Sequence, residues 1–137
     1  QARLNEMIEH LGIQLSTFIR PSITDLWLRH GDDSIFVMPS RFEGMPNALL
    51  EAIAHGLVPL VSDGVGDLAD LISQIDERLV FPTNSQVDLT SALDWLAVEK
   101  LDKGQEYPQI LGILEPYIFE NSIRQWDNLV IDLLDRQ

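Results

Sequence analysis

The sequence predicts an α/β domain built on a doubly wound parallel sheet, and three observations carry that expectation. Short apolar runs at 34–38, 57–61 and 78–81 alternate with segments whose apolar residues recur at helical spacing. The first two runs lead through turns containing Gly or Pro into the next helical segment, as strand-to-helix units do. The length, 137 residues with 45% hydrophobic, suits one domain with a core of ordinary size. In such a sheet the crossovers are right-handed and ligands bind at the carboxyl ends of the strands.

The elements follow in order. Residues 2–10 read as a helix with Leu4, Met7, Ile8 and Leu11 on one face, closed by Gly12. Residues 13–19 alternate like a strand, with Ile13, Leu15, Thr17 and Ile19 pointing one way. Pro21 breaks that strand, and Ser22 is placed to cap a short helix over 23–29. The run Ser34-Ile35-Phe36-Val37-Met38 has the look of a strand buried on both faces. It feeds a helix starting at Pro46, whose apolar face is Leu49, Leu50, Ile53 and Ala54 and whose left-handed cap is Gly56. Residues 57–61 form the next buried strand, Gly64-Val65-Gly66 opens a second strand-to-helix turn, and residues 78–81 make a last short strand stopped by Pro82.

From Asp88 onward the chain reads helical. Leu89, Leu93, Leu96 and Ala97 make one face, and Leu111, Leu114, Tyr117 and Ile118 another. Asn121 is placed to cap a final helix carrying Ile123, Trp126, Leu129, Val130 and Leu133. Trp27, Trp95 and Trp126 fall in amphipathic segments and are read as packing residues. His10, His30 and His55 have no metal-ligand spacing, so no metal site is expected.

The chemistry concentrates in 42–56. Glu43 and Glu51, with seven residues between them, bracket a helix start. Pro46 suits the first helical position, and the amides of Asn47 and Ala48 behind it are expected to lack intrahelical partners. Such a terminus receives phosphate or diphosphate. Asn47, Glu51 and His55 share a stripe away from the apolar face, so Glu51 stands a turn from the anion site, where a carboxylate serves best by accepting hydrogen bonds from ribose hydroxyls. Glu43 would do the same for a second polyol. A plainer reading stands beside this one, because acids near a helix start also stabilise its dipole by about 0.3–1 kcal/mol. Spacing alone leaves both open.

Composition narrows the partners. A formal net charge of -13, with nine Lys and Arg, makes nucleic acid and anionic lipid surfaces poor partners. Zero cysteines exclude disulfides and thiolate metal sites. No apolar run approaches the roughly 18 residues of a membrane helix and no secretion signal opens the chain, so a cytoplasmic location is expected. A first residue of Gln1 suggests an excerpt or a processed chain.

The segment from Pro39 to Ala52, continued by Gly56-Leu57-Val58-Pro59 and Val61-Ser62-Asp63, resembles the C-terminal, donor-binding domain of retaining GT-B glycosyltransferases. More narrowly it is similar to the group 1, family 4 type that includes sucrose and mannosyl transferases. The resemblance implies a Rossmann-like half of a GT-B fold with C-terminal helices. Residues 1–137 would be a partial nucleotide-sugar-binding domain, with 104–137 a C-terminal helical segment. Its first strand-helix units and the N-terminal acceptor domain would be absent. The family's diphosphate-binding Arg and Lys come from that missing unit, leaving Arg41 the only base beside the motif. Two strands would be missing between 13–19 and 34–38, so the first strand is expected to pair directly with the second or with another chain.

Carried over residue by residue, the resemblance gives Glu43 the hydroxyls of the transferred sugar near the anomeric carbon, with Gly44 and Met45 presenting backbone. Asn47 and Ala48 would hold the diphosphate and Glu51 the ribose. Arg20 and Pro21 would lie near the base. Around Gly64-Val65-Gly66 this chain has one extra residue and Asp70 in place of the family's Glu, an altered wall of the pocket. The implied reaction is transfer of a sugar, with retention, from a UDP- or GDP-type nucleotide sugar to an acceptor hydroxyl that the sequence does not identify. No cofactor or metal is required. The rivals are a non-catalytic α/β binding module, and a phosphorylase or epimerase on the same fold.

Overall fold

The computed structural model describes residues 2–20, 34–99 and 107–118, with Asn121 and Ile123. Three parallel strands, β1 (Ile35–Met38), β2 (Val58–Ser62) and β3 (Val80–Phe81), lie in the order β1-β2-β3. Ile35 pairs with Val58 and Met38 with Val61, while Val61 pairs with Val80. Around them run helices α1 (Ala2–His10), α2 (Asn47–Ala54), α3 (Asp67–Ile75) and α4 (Gln86–Ala97), and a 3-10 helix over Pro108–Tyr117. This is the α/β, parallel-sheet, Rossmann-like architecture the sequence predicts.

β2 is the central strand, and all five of its residues are buried. Leu60 and Val61 pack with Leu49 and Ile53 of α2, Leu68 and Ile72 of α3, Leu79 and Phe81 beside β3, and Leu96 of α4. β1 lies at the edge of the sheet among the described residues and is only half-buried, not covered on both faces as its unbroken apolar run suggests. On α2 the fully buried residues are Leu49, Ala52 and Ile53, whereas Ala54 is exposed, so the helix turns slightly from the face expected of it.

The ends of α2 follow local chemistry. Pro46 is not the first helical residue but the one before it. Its φ of -80° and ψ of 77° make an inverse γ-turn in which the Asn47 amide donates to the Met45 carbonyl at 2.9 Å. At the other end Gly56 takes φ +79°, Leu57 N–H donates to Ala52 and Gly56 N–H to Ile53, a Schellman cap that turns the chain into β2.

Residues 13–20 form no strand. After α1 the chain passes through turns, and Leu15 is 97% exposed. An extended segment needs a hydrogen-bonding neighbour, and none of the described strands pairs with this one. The expected pairing of 13–19 with β1, and self-association through that strand's edge, therefore lose their premise. The expected helix at 23–29, Trp27, His30 and Pro21 lie outside the described residues, as do Trp126 and most of the last helix. Asn121 is described, and its side-chain amide donates to the Glu115 carbonyl at 2.7 Å.

In the C-terminal segment the repeat is tighter than α-helical. Over Pro108–Tyr117 the buried residues are Ile110 and Ile113, with Leu114 and Tyr117 packed beside them, while Leu111 and Ile118 face outward. The turn of a 3-10 helix, about three residues, aligns 110 with 113, so the buried pair lies one residue out of step with the expected face. Among the described residues no helix is long and apolar enough to cross a membrane.

Candidate functional site

Two loops meet at the carboxyl ends of β1 and β2. The first, 39–46, runs from β1 to α2; the second, 63–66, joins β2 to α3 through a short 3-10 turn, Asp63–Val65. Between them lies a cleft of about 330 Å³, lined by Phe42, Glu43, Gly44, Met45 and Pro46 on one side, by Val65, Gly66, Asp67 and Leu68 on the other, and by Tyr117. Its position is the one a parallel sheet offers to a ligand.

Several contacts lash the loops together. The Glu43 amide donates to the Gly64 carbonyl at 3.1 Å. Ser62, 1% exposed, donates its hydroxyl to the Ser40 carbonyl. Ser40 in turn donates its own hydroxyl to Glu43 Oε1 at 2.6 Å. A Cβ on Gly64 would fall 2.5 Å from the Arg41 carbonyl oxygen, so only glycine permits this approach. Gly66, at φ +69°, then delivers the chain into α3, where the amides of Asp67 and Leu68 make no hydrogen bond among the described residues.

Beyond the cleft, Asp63 ties the end of β2 to the loop after β3. Its carboxylate accepts from the Thr83 hydroxyl and from the Thr83 amide at 2.7 Å, and these bonds hold it below the ordinary aspartate range. On the far side of β3 a second hollow, about 260 Å³, is bordered by Arg78, Phe81 and Trp95. There the Arg78 guanidinium lies 4.1 Å over the Trp95 ring and binds Asp76 through two bonds, which lower the Asp76 carboxyl and raise the guanidinium. Trp95 packs against the core, the role expected of it.

The residues singled out by sequence divide into two groups. Glu43, Gly44 and Met45 line the cleft. Asn47, Ala48 and Glu51 are exposed on α2 but are not among its lining residues. The Asn47 amide is taken up by Met45, while that of Ala48 makes no hydrogen bond among the described residues. Arg20 lies 5.3 Å over the Phe18 ring and is not among the residues that line the cleft. Arg41 is exposed, and among the described residues no Lys or Arg lines the cleft. Asp70 is exposed one turn into α3, and Asp67 lines the cleft instead.

Sequence reasoning missed Ser40, Ser62 and Tyr117 as parts of this site. Tyr117 carried a helical-face signal and lines the cleft as well as touching the core. Ser40 stood three residues before Glu43, within reach of its carboxylate across a turn, and that spacing was the available clue. The partnership of Ser62 with Ser40 spans 22 residues and leaves no local pattern.

The chain is 26% identical over 140 residues to an exopolysaccharide phosphotransferase of Streptomyces coelicolor, covering 99% of this chain and 14% of that protein. It is 22% identical over 134 residues to an uncharacterized glycosyltransferase of Haemophilus influenzae, covering 95% of this chain and 37% of that protein. The chain thus spans well under half the length of these curated relatives. No solved structure matches it. Residues 1–108 match the family model described as glycosyl transferases group 1, and the chain belongs to that family.

Proposed function

We propose that this chain is the donor-binding part of a retaining GT-B glycosyltransferase of family 4 type, which moves a sugar from a nucleotide-diphosphate sugar to an acceptor hydroxyl. The observation that carries the reading is the Glu43 carboxylate, held by Ser40 at the border of a cleft at the sheet's carboxyl end, in a chain of this family. In this reading Glu43 accepts hydrogen bonds from hydroxyls of the transferred sugar, and Gly44 and Met45 present backbone to it. The Ala48 amide, flanked by Asn47, receives the diphosphate, and Glu51 takes the ribose. Arg20 and Pro21 contribute near the base.

The reaction breaks the bond between the anomeric carbon and the diphosphate oxygen and forms one to the acceptor oxygen on the same face. The acceptor's proton passes to the departing diphosphate, so the protein's work is positioning and stabilising developing charge, with no metal needed. A double displacement needs two carboxyls flanking one bond, and with Glu51 on the ribose the 42–56 motif supplies only Glu43. In this reading the 137 residues alone are inactive, because no Lys or Arg among the described residues lines the cleft to neutralise the diphosphate. We place the protein in the cytoplasm.

One observation favours a second reading, a module that kept the fold without the chemistry: no base lines the cleft among the described residues. Calorimetric titration of UDP-, GDP- and ADP-hexoses into the full-length natural protein separates the two. Binding of one of them, with turnover reduced about 100-fold in Glu43→Gln, is the expected result, a loss of the size seen when a transition-state contact is removed. Full-length protein that binds none of them would make the chain a non-catalytic module.

A further inference from the structure

Glu43 reaches the cleft from a loop, where a lone carboxylate would sample several rotamers. In this structure one oxygen is committed. Oε1 accepts the Ser40 hydroxyl at 2.6 Å, the length of a charge-assisted bond. Ser40 is fixed in turn, because its carbonyl accepts the hydroxyl of Ser62, the buried last residue of the central strand. The Glu43 amide is anchored to Gly64, and the absent side chain of Gly64 lets the 40–41 backbone close in. The carboxylate is therefore referenced to β2, all of whose residues are buried, through a chain of three residues.

We infer that Ser40 is a positioning residue of the donor site: by holding Oε1 it fixes the rotamer of Glu43 and leaves Oε2 as the acceptor for a sugar hydroxyl. The inference rests on the donor-site reading above. Ser40→Ala removes only the hydroxyl, and the carbonyl bound by Ser62 remains. The geometric cost of a loosened carboxylate is felt where charge and bonds are being redistributed, in kcat more than in KM.

The test uses the full-length natural protein, with a panel of UDP-, GDP- and ADP-hexoses as donors, water as the acceptor, and release of nucleoside diphosphate by donor hydrolysis as the signal. Ser40→Ala is expected to lower kcat by about tenfold while KM moves by less than about twofold, and Ser40→Thr to restore most of the rate. On a Glu43→Gln background Ser40→Ala should cost nothing further, because the two act as one unit. The carbonyl-carbon NMR resonance of the Glu43 carboxylate, read without donor, should shift in Ser40→Ala. Wild-type turnover in Ser40→Ala, with Glu43→Gln impaired, would overturn the positioning role alone. So would an equal loss on both backgrounds, which would mark a merely structural serine. A shifted Glu43 resonance in a protein that neither binds nor turns over any donor would instead overturn the donor reading, reducing the Ser40 bond to a local contact.

Discussion

Helices α1 and α2 are nearly equal in length, nine and eight residues, and both carry an apolar stripe. They even end alike. In α1 the Ile13 amide donates to Ile8 and the Gly12 amide to Glu9, the same cap that Leu57 and Gly56 make at the end of α2. Yet α2 buries Leu49, Ala52 and Ile53 completely, while α1 buries no residue. After its cap α2 enters the central strand; after its cap α1 enters exposed turns. Helix and cap are therefore local products of sequence, whereas core and strand require a neighbour with unsatisfied surface or backbone groups.

The sharpest way to break this contrast is to remove equivalent side chains from each region. Leu60→Ala, in the central strand, is expected to cost about 2–5 kcal/mol, the transfer term plus a cavity in a site that cannot collapse. Leu4→Ala, at a position 53% exposed, is expected to stay within about 0.5 kcal/mol. Urea denaturation of the 137-residue chain measures both. Comparable losses would mean that α1 has a buried partner.

A backbone version of the same comparison probes the cleft. Gly64→Ala places a Cβ 2.5 Å from one carbonyl oxygen and 2.7 Å from another, both on backbone, and is expected to cost about 1–3 kcal/mol while disturbing the Glu43 loop. Gly44→Ala meets nothing within 4 Å and should be nearly neutral in stability. Thermal melts of the two variants decide it. Equal melting temperatures would mean the loops are not held together as the hydrogen bonds indicate.

The same contrast explains what was legible in the sequence. Strands at 35–38, 58–62 and 80–81, the helix after Pro46, the cap at Gly56 and the turn at 63–66 all follow from local pattern and turn chemistry, and the structure has them within a residue or two. The strand expected at 13–19 rests on alternation alone, and alternation states which side chains would share a face without supplying a partner. Pro46 moved out of the helix because its own ψ, 77°, belongs to a γ-turn. Within the site, Glu43 could be found from its place beside a helix start. Its dependence on Ser62 could not, since that link is made only when two strands lie side by side.

A smaller effect separates local capping from the core. Ser85 caps α4, its hydroxyl accepting the Asp88 amide at 3.3 Å and donating to the Asp88 carboxylate. Ser85→Ala is expected to cost about 1 kcal/mol. Because the cap acts on α4 rather than on the loops, hydrogen exchange should accelerate in the first turn of α4 and stay unchanged in α2. A matching change in α2 would show that the capping energy is spread through the whole sheet.

The smallest expected effect is on acid stability, and it arises in the region around the sheet rather than in α1. Asp63 is lowered chiefly by the Thr83 hydroxyl, and Asp76 chiefly by its hydrogen bond from Arg78. A lowered folded-state value means that the folded chain binds these protons less readily than the unfolded one. The contribution is therefore fully present above the ordinary aspartate value of 3.8 and disappears as pH falls through the lower folded values. Asp63 is open to solvent, so screening keeps its share small, whereas the Asp76 side chain is only 12% exposed and carries more of the effect. Urea midpoints measured from about pH 5 down to about pH 2 should fall less steeply in Asp63→Asn and Asp76→Asn than in the parent, since each variant has already given up the bond that acid would break. An unchanged acid limb in the Asp63→Asn, Asp76→Asn double variant would place the acid-sensitive groups elsewhere, and the tie between β2 and the loop after β3 would then contribute nothing that protonation can remove.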